Sequence, residues 1–216
     1  WLGGMLTAAG VSAIDGNYKL PAGLWGEFRA KLAAHYGGLD SLRTGWVSNV
    51  LFEPSVGNAI FHEMTAKESK LRIWKRTVLK EVKREKGTTW LAVVQTEGEH
   101  PKTVRAKVMI DATELGDVAK WCGVKYDVGM ESRDDTKEDV APEKANNIVQ
   151  DITYVAVLKD YGRDVTMPRP AGYNPNEFAC ACANPVCITP KEPDRVWSKE
   201  MMLTYGRLPN GKYMIN

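Results

Sequence analysis

The chain has 216 residues, 44% hydrophobic and 26% charged, enough for one large domain or two small ones around a buried core. Its 29 basic and 27 acidic residues leave a formal charge of +2, which gives no electrostatic case for nucleic acid or an anionic membrane as partner. No apolar run reaches the roughly 18 residues of a bilayer span, and the three histidines (His35, His62, His100) lack HExxH-type spacing, so a histidine metal site is not expected.

The chain begins at Trp1 without a charged-then-apolar leader pattern and is expected to be an internal piece of a longer protein, so nothing in it fixes the compartment. The opening "GGMLTAAGVSAIDGNYKLPAG" is dense in Gly, Ala, Ser and Thr with no sustained period. It predicts a loop suited to close approach of backbone to a ligand. Gly3, Gly4, Thr7 and Gly10 do not match G-x-G-x-x-G or a P-loop, and a plain surface loop would have the same composition.

Leu24, Phe28, Leu32 and Tyr36 then recur at four-residue spacing, which predicts a helix stopped by Gly37 and Gly38. A second helix is expected from Pro54 to about Ser69, with Val56, Ile60 and Met64 on one stripe. From Leu71 the pattern turns to strands. "LRIWKRTVLKEVKRE" and "TTWLAVVQTEGE" predict an antiparallel pair turning at Gly87, and "KTVRAKVMIDAT" a third strand. Val104, Ala106, Val108, Ile110 and Ala112 alternate onto one face of that strand, with Arg105, Lys107 and Asp111 on the other.

That strand is expected to run through Ala112-Thr113 into a helix beginning at Gly116-Asp117. A strand ending in small residues directly before a helix turns the helix's first N–H groups, and the positive end of its dipole, toward the strand's carboxyl end. Phosphate or sugar oxygens fit there. Gly116 permits the bend, and Asp117 can cap the helix or accept a hydrogen bond from a sugar hydroxyl. An ordinary strand–turn–helix with a capping Asp accounts for the same residues.

Beyond Gly123, "GMESRDDTKEDVAPEKANN" reads as an exposed connection or lid. A strand-like "IVQDITYVAVLKDYG" follows, and then a proline-rich tract around "CACANPVC". The C-x-C-x4-C spacing of Cys180, Cys182 and Cys187, with Cys122 some sixty residues away, lacks a C-x2-C knuckle. Free thiols are therefore expected rather than a metal centre. The seven tryptophans and eight tyrosines suit either core packing or sugar stacking. The second option defines a rival from another class, a non-catalytic carbohydrate- or protein-interaction domain of a polysaccharide system, although no paired acid–base constellation supports such chemistry.

Taken together, "GGMLTAAGVSAIDG", the two helices, and the stretch from Thr103 through "VMIDATELGD" resemble the FAD-dependent oxidoreductases of the glutathione-reductase-like flavoprotein superfamily. The likeness is strongest to their bacterial branch and more distant to fumarate reductase flavoproteins. It extends to "VKYDVGMES" and "NNIVQDITYVAVLKDYG", and so spans most of the chain. It implies a mixed α/β fold: a partial Rossmann-like FAD-binding domain with a three-stranded meander over residues 1–125, and part of a β-rich substrate or cap domain over 126–216. Gly3, Gly4, Thr7, Gly10 and Val11 would lie along the flavin, Val78 would meet adenine through its backbone, and Ala112, Thr113, Gly116 and Asp117 would form a second nucleotide-side turn. The implied partner is a small-molecule substrate.

Two departures stand out. The family's Thr-Gly-Asp is stretched here to Thr113-Glu114-Leu115-Gly116-Asp117, and the G-x-G-x-x-G strand with its ribose-binding acid is missing. The resemblance therefore implies weak FAD binding by this chain alone and good binding by a longer protein. Substrate-side candidates are Arg133, His62, Tyr154, Lys159 and Tyr161, with Cys180 or Cys182 a more remote redox partner disfavoured by C-x-C spacing.

Overall fold

A computed structural model of the chain describes residues 1–16, 18–150, 152–178 and 198–215. It is a mixed α/β structure with two three-stranded antiparallel sheets. Contacts divide it into two compact units, Trp1–Ser69 with Thr153–Asn216, and Lys70–Ile152. The division at residue 125 expected from sequence is one of chemical role, which contacts do not test.

In the first unit, helix α1 (Gly23–Tyr36) and helix α2 (Pro54–Ala66) form where the four-residue stripes predict them. Phe28 and Leu32 are buried, and Gly37 ends α1 in the left-handed conformation that favours glycine. Leu24 is a departure. It sits in the first turn of α1 and is 77% exposed. Pro54 occupies the first turn of α2, where its missing N–H leaves no hydrogen bond unmade. The core joins Phe28, Leu32, Leu42, Val50, Phe52 and Ile60. Phe28 stacks on Phe61 at 4.4 Å between ring centroids and meets Phe52 edge-on at 5.4 Å. Each large side chain removed from water here contributes roughly 1.5–3 kcal/mol.

A second cluster in the same unit gathers Leu51, Leu208 and Met214. It sits under a sheet ordered β4 (Ala156–Lys159), β6 (Lys212–Ile215), β5 (Arg207–Leu208), which follows helix α5 (Lys199–Tyr205) in the chain at β5. Asn210 and Gly211 both adopt left-handed φ between β5 and β6, as an Asn-Gly hairpin turn requires. The segment before Leu51 is sewn to this hairpin by hydrogen bonds from Val47 N to Tyr205 O (3.1 Å) and from Thr44 Oγ1 to Arg207 O. Gly45 permits that approach, since a Cβ there would stand 2.6 Å from the Tyr205 carbonyl.

The second unit is a meander of β1 (Thr77–Arg84), β2 (Trp90–Thr96) and β3 (Lys102–Ala106), as the strand pattern predicts. The turn passes through Gly87 at φ +82°, closed by Glu85 N donating to Thr89 O, and a bulge interrupts β1 between Leu79 and Glu81. The third strand is shorter than expected. Ala106 pairs with Trp90, the first residue of β2, so beyond Ala106 no β2 residue remains to pair with. Residues 107–113 therefore leave the sheet, and Val108 (73%) and Ile110 (82%) are exposed instead of facing a core. Two short helices follow, α3 (Asp117–Trp121) and α4 (Arg133–Thr136), the latter in the charged segment expected to be an exposed connection.

Candidate functional site

The bend at residues 111–117 is held by its own side chains. Asp111 Oδ1 accepts from Thr113 N at 2.8 Å, and its Oδ2 accepts from Ala119 N at 2.7 Å. Thr113 Oγ1 accepts from Asp117 N at 3.0 Å. Two of the amides at the start of α3 are thus already bound within the chain. The expectation that those N–H groups stand open to an anion is corrected, as is the place of Asp111 on the outer face of a strand. Thr113 leads the hydrogen bonds that hold the Asp111 carboxyl below the usual carboxylate range, with Ala119 next. Asp111 and Thr113 do the capping, while the Asp117 side chain lies exposed. An Asp followed two residues later by a bonded N–H is an Asx turn, and the "DAT" triplet carried that signal.

What the bend does leave open is backbone at its crest. Gly116 has φ +69°, and no atom lies within 4 Å of the point a Cβ would occupy. Ala112 and Thr113 are exposed beside it. Backbone can approach a ligand there at no steric cost.

The opening loop has a similar construction. A short 3-10 turn, Gly4–Leu6, is tied by Thr7 N donating to Gly4 O (3.2 Å) and Val11 N to Met5 O (3.0 Å). Thr7 is buried, and its hydroxyl donates to Leu2 O. Leu2 N in turn donates to Asn58 Oδ1 on α2 at 2.9 Å. Gly3 takes φ +105°, and a Cβ there would stand 2.5 Å from the Phe61 ring; it is a packing glycine. Gly4, at φ +50°, has nothing within 4 Å of its Cβ direction and is exposed. Gly10 meets only Val155, and Val11 packs on the second hydrophobic cluster. Just beyond, Ser12 is fully buried, and its Oγ is the one buried side-chain polar atom without a hydrogen-bond partner among the described residues. A hydroxyl in that state costs roughly 1–3 kcal/mol.

Val78 lies in β1, opposite Gln95 and half exposed. Arg133 is committed to its own segment through Nη2 to Ala141 O at 3.3 Å. Lys159 stands over the Tyr161 ring at 5.2 Å, and Tyr154 is exposed. His62 lies on α2. Within the first unit His62, Tyr154, Lys159 and Tyr161 do not converge on one cavity among the described pockets. Cys180, Cys182 and Cys187 lie outside the described residues. Cys122 is a half-buried free thiol, and no group of three or more His, Cys, Asp or Glu is set to hold a metal ion among the described residues.

One functional-looking cluster escaped the sequence reading. Glu53, nearly buried at the head of α2, accepts from Tyr36 Oη at 3.1 Å, from Asn210 Nδ2 at 2.9 Å and from the Lys212 ammonium. Tyr36 Oη also accepts from Glu53 N at 3.0 Å. Burial pushes the Glu53 carboxyl up, but the hydrogen bonds from Lys212, Asn210 and Tyr36 outweigh it and hold it below the usual range. Burial, with the Glu53 charge, pushes the Tyr36 hydroxyl well above the usual tyrosine range, so it stays protonated. Partners 17 and 159 residues away leave no local motif to find. The readable signal was the Asn210-Gly211 turn that brings Lys212 back.

The family model for FAD dependent oxidoreductases matches residues 1–216. The chain belongs to that family. FAD is its cofactor and flavin-dependent redox chemistry its business, which leaves the carbohydrate-binding rival without support. No curated protein and no solved structure matches the chain. Among the described residues no helix is long and apolar enough to cross a membrane.

Proposed function

We propose that this chain supplies backbone contacts to the flavin nucleotide of an FAD-dependent oxidoreductase of the glutathione-reductase-like superfamily, acting on a small-molecule substrate. In this reading residues 1–125 belong to the Rossmann-like cofactor side and 126–216 to the substrate side, and the phosphate-binding glycine turn lies elsewhere in a longer protein. The observation that carries it is the family match along the whole chain. The local geometry supports it at two places. Gly4 and Gly116 each present unshielded left-handed backbone.

The residues present would meet a flavin nucleotide mainly through main chain, at Gly4 and Gly116. Gly4, Gly10 and Val11 would offer backbone along the ring, with Gly3 and Thr7 fixing the loop from behind. Val78 would meet adenine through its backbone. Ala112, Thr113 and Gly116 would give slim backbone on the nucleotide side, and the exposed Asp117 carboxylate would accept from a sugar hydroxyl. Bound FAD supplies the hydride or electron exchange, and the protein supplies position and electrostatics. The test is flavin uptake by the complete gene product, read by absorbance and by quenching of flavin fluorescence. A yellow protein that loses its flavin when Gly116→Val is introduced, with far-UV circular dichroism unchanged, supports the assignment. A folded, colourless protein that ignores added FAD overturns it.

A further inference from the structure

The first unit contains a cavity that the flavin reading does not use. Tyr18, Lys19, Arg29, Leu39, Arg43 and Asn49 line it over a floor of Leu42 and Val50, and it encloses about 230 Å³. Its charged lining side chains are all positive. Lys19 and Arg43 both lie 5.6 Å from the centre of the Tyr18 ring. Arg29 rises half-buried from α1. Neither Lys19 nor Arg29 has an ion pair among the described residues, and Arg43 reaches only the exposed Asp40, at 3.9 Å.

Three cations brought to one small cavity repel each other, and a low-dielectric floor sharpens that repulsion. A cleft lined by one sign of charge concentrates the opposite ion. Guanidinium groups bind carboxylate and phosphate through paired N–H donors, and the Asn49 amide adds a further donor. The Leu39, Leu42 and Val50 side chains offer an apolar wall. At about 230 Å³ the space falls below the roughly 300–1,000 Å³ of drug-sized pockets and suits one ring with one anionic group.

The geometry points to an anion site separate from the flavin contacts: the cavity between Tyr18, Arg29 and Arg43 binds a phosphate or carboxylate carried on a single planar ring. The proposal does not depend on flavin binding.

Phenyl phosphate, benzoate and the uncharged benzamide, titrated into the full chain by calorimetry with and without FAD, test it. Phenyl phosphate or benzoate is expected to saturate one site while benzamide does not, and the stronger of the two anions identifies the headgroup class. Arg29→Gln and Arg43→Gln are each expected to weaken the bound anion about tenfold or more. Should Arg29→Gln fail to fold, Arg43→Gln and Lys19→Gln carry the test, because both of those side chains are exposed. Binding that persists unchanged in flavin-loaded protein supports a separate site. Equal binding of benzamide and the anions, wild-type affinity in folded Arg43→Gln, no binding at all, or displacement of the anion by FAD would each overturn it. Flavin uptake by the complete gene product without anion binding would sink this proposal alone, and anion binding alongside a complete gene product that takes up no flavin would sink only the flavin reading.

Discussion

The two compact units bury their apolar residues very differently. Phe28, Leu32, Leu42, Val50, Leu51, Phe52, Ile60, Leu208 and Met214 are buried in the first, whereas in the second only Ala92 and Ala141 are buried hydrophobics among the described residues. The second unit instead leaves Val108, Ile110, Leu115 and Trp121 exposed and is held by backbone pairing, exposed ion pairs such as Arg105 with Glu85, and turn-local caps. Exposed ion pairs contribute roughly 0–1 kcal/mol each, so they do not replace a core. The contrast shows where rigidity and where access are concentrated. Gly116, with open backbone, lies in the thinly packed unit.

Breaking the first unit should have the largest effect. Phe52→Ala removes a fully buried ring that packs edge-on against Phe28, and is expected to cost about 4 kcal/mol. The urea midpoint should fall accordingly, and hydrogen exchange should accelerate across the first unit more than in β1–β3.

Lys212→Met leaves the Glu53 carboxylate in place without its cation, and about 3 kcal/mol should be lost. Because the folded Glu53 carboxyl titrates below its usual value, its contribution is complete above about pH 4.3 and fades as pH falls through the folded value. Glu53→Gln should therefore flatten the acid limb of the stability curve, a difference readable in denaturation midpoints at pH 3 and pH 7.

Gly3→Ala forces a Cβ toward the Phe61 ring at φ +105°, and about 2 kcal/mol should go in strain. Gly4→Ala, with open space at its Cβ direction, should cost less. Equal losses at the two positions would break the distinction between packing and open glycines.

The smallest effect is expected at Asp111. Asp111→Asn keeps one acceptor oxygen and replaces the other with an NH2 that cannot accept an N–H, so amide exchange should speed at Thr113 or Ala119 while the global midpoint stays put. Since this carboxyl also titrates low, the same local loosening should appear in the wild-type protein as pH falls below the usual carboxylate range.

Local patterns carried much of the fold. Stripes at Phe28 and Leu32 and at Val56 and Ile60 marked both long helices, because a helix packing on a core imposes its period on the residues that touch it. Alternation marked β1 to β3 but overran at Val108, because alternation records side-chain direction and says nothing of where the partner strand begins. The bend at 112–117 was legible as a bend. Its wiring through Asp111 and Thr113 was not read, although the Asx signal was present. Glu53 was out of reach, since its neighbours Tyr36, Asn210 and Lys212 meet it only in the folded chain.

That separation has a consequence for biosynthesis. Lys212 follows Glu53 by 159 positions, so a ribosome that has released Glu53 must translate all of the intervening polypeptide before the counter-ion exists. Until then the carboxylate lacks its cation and the second cluster lacks Leu208 and Met214, while the meander encoded between them can already zip. Completion of the first unit is thus timed by the late arrival of one hairpin, and a nascent-chain arrest placed upstream of Asn210 should leave that unit sensitive to protease.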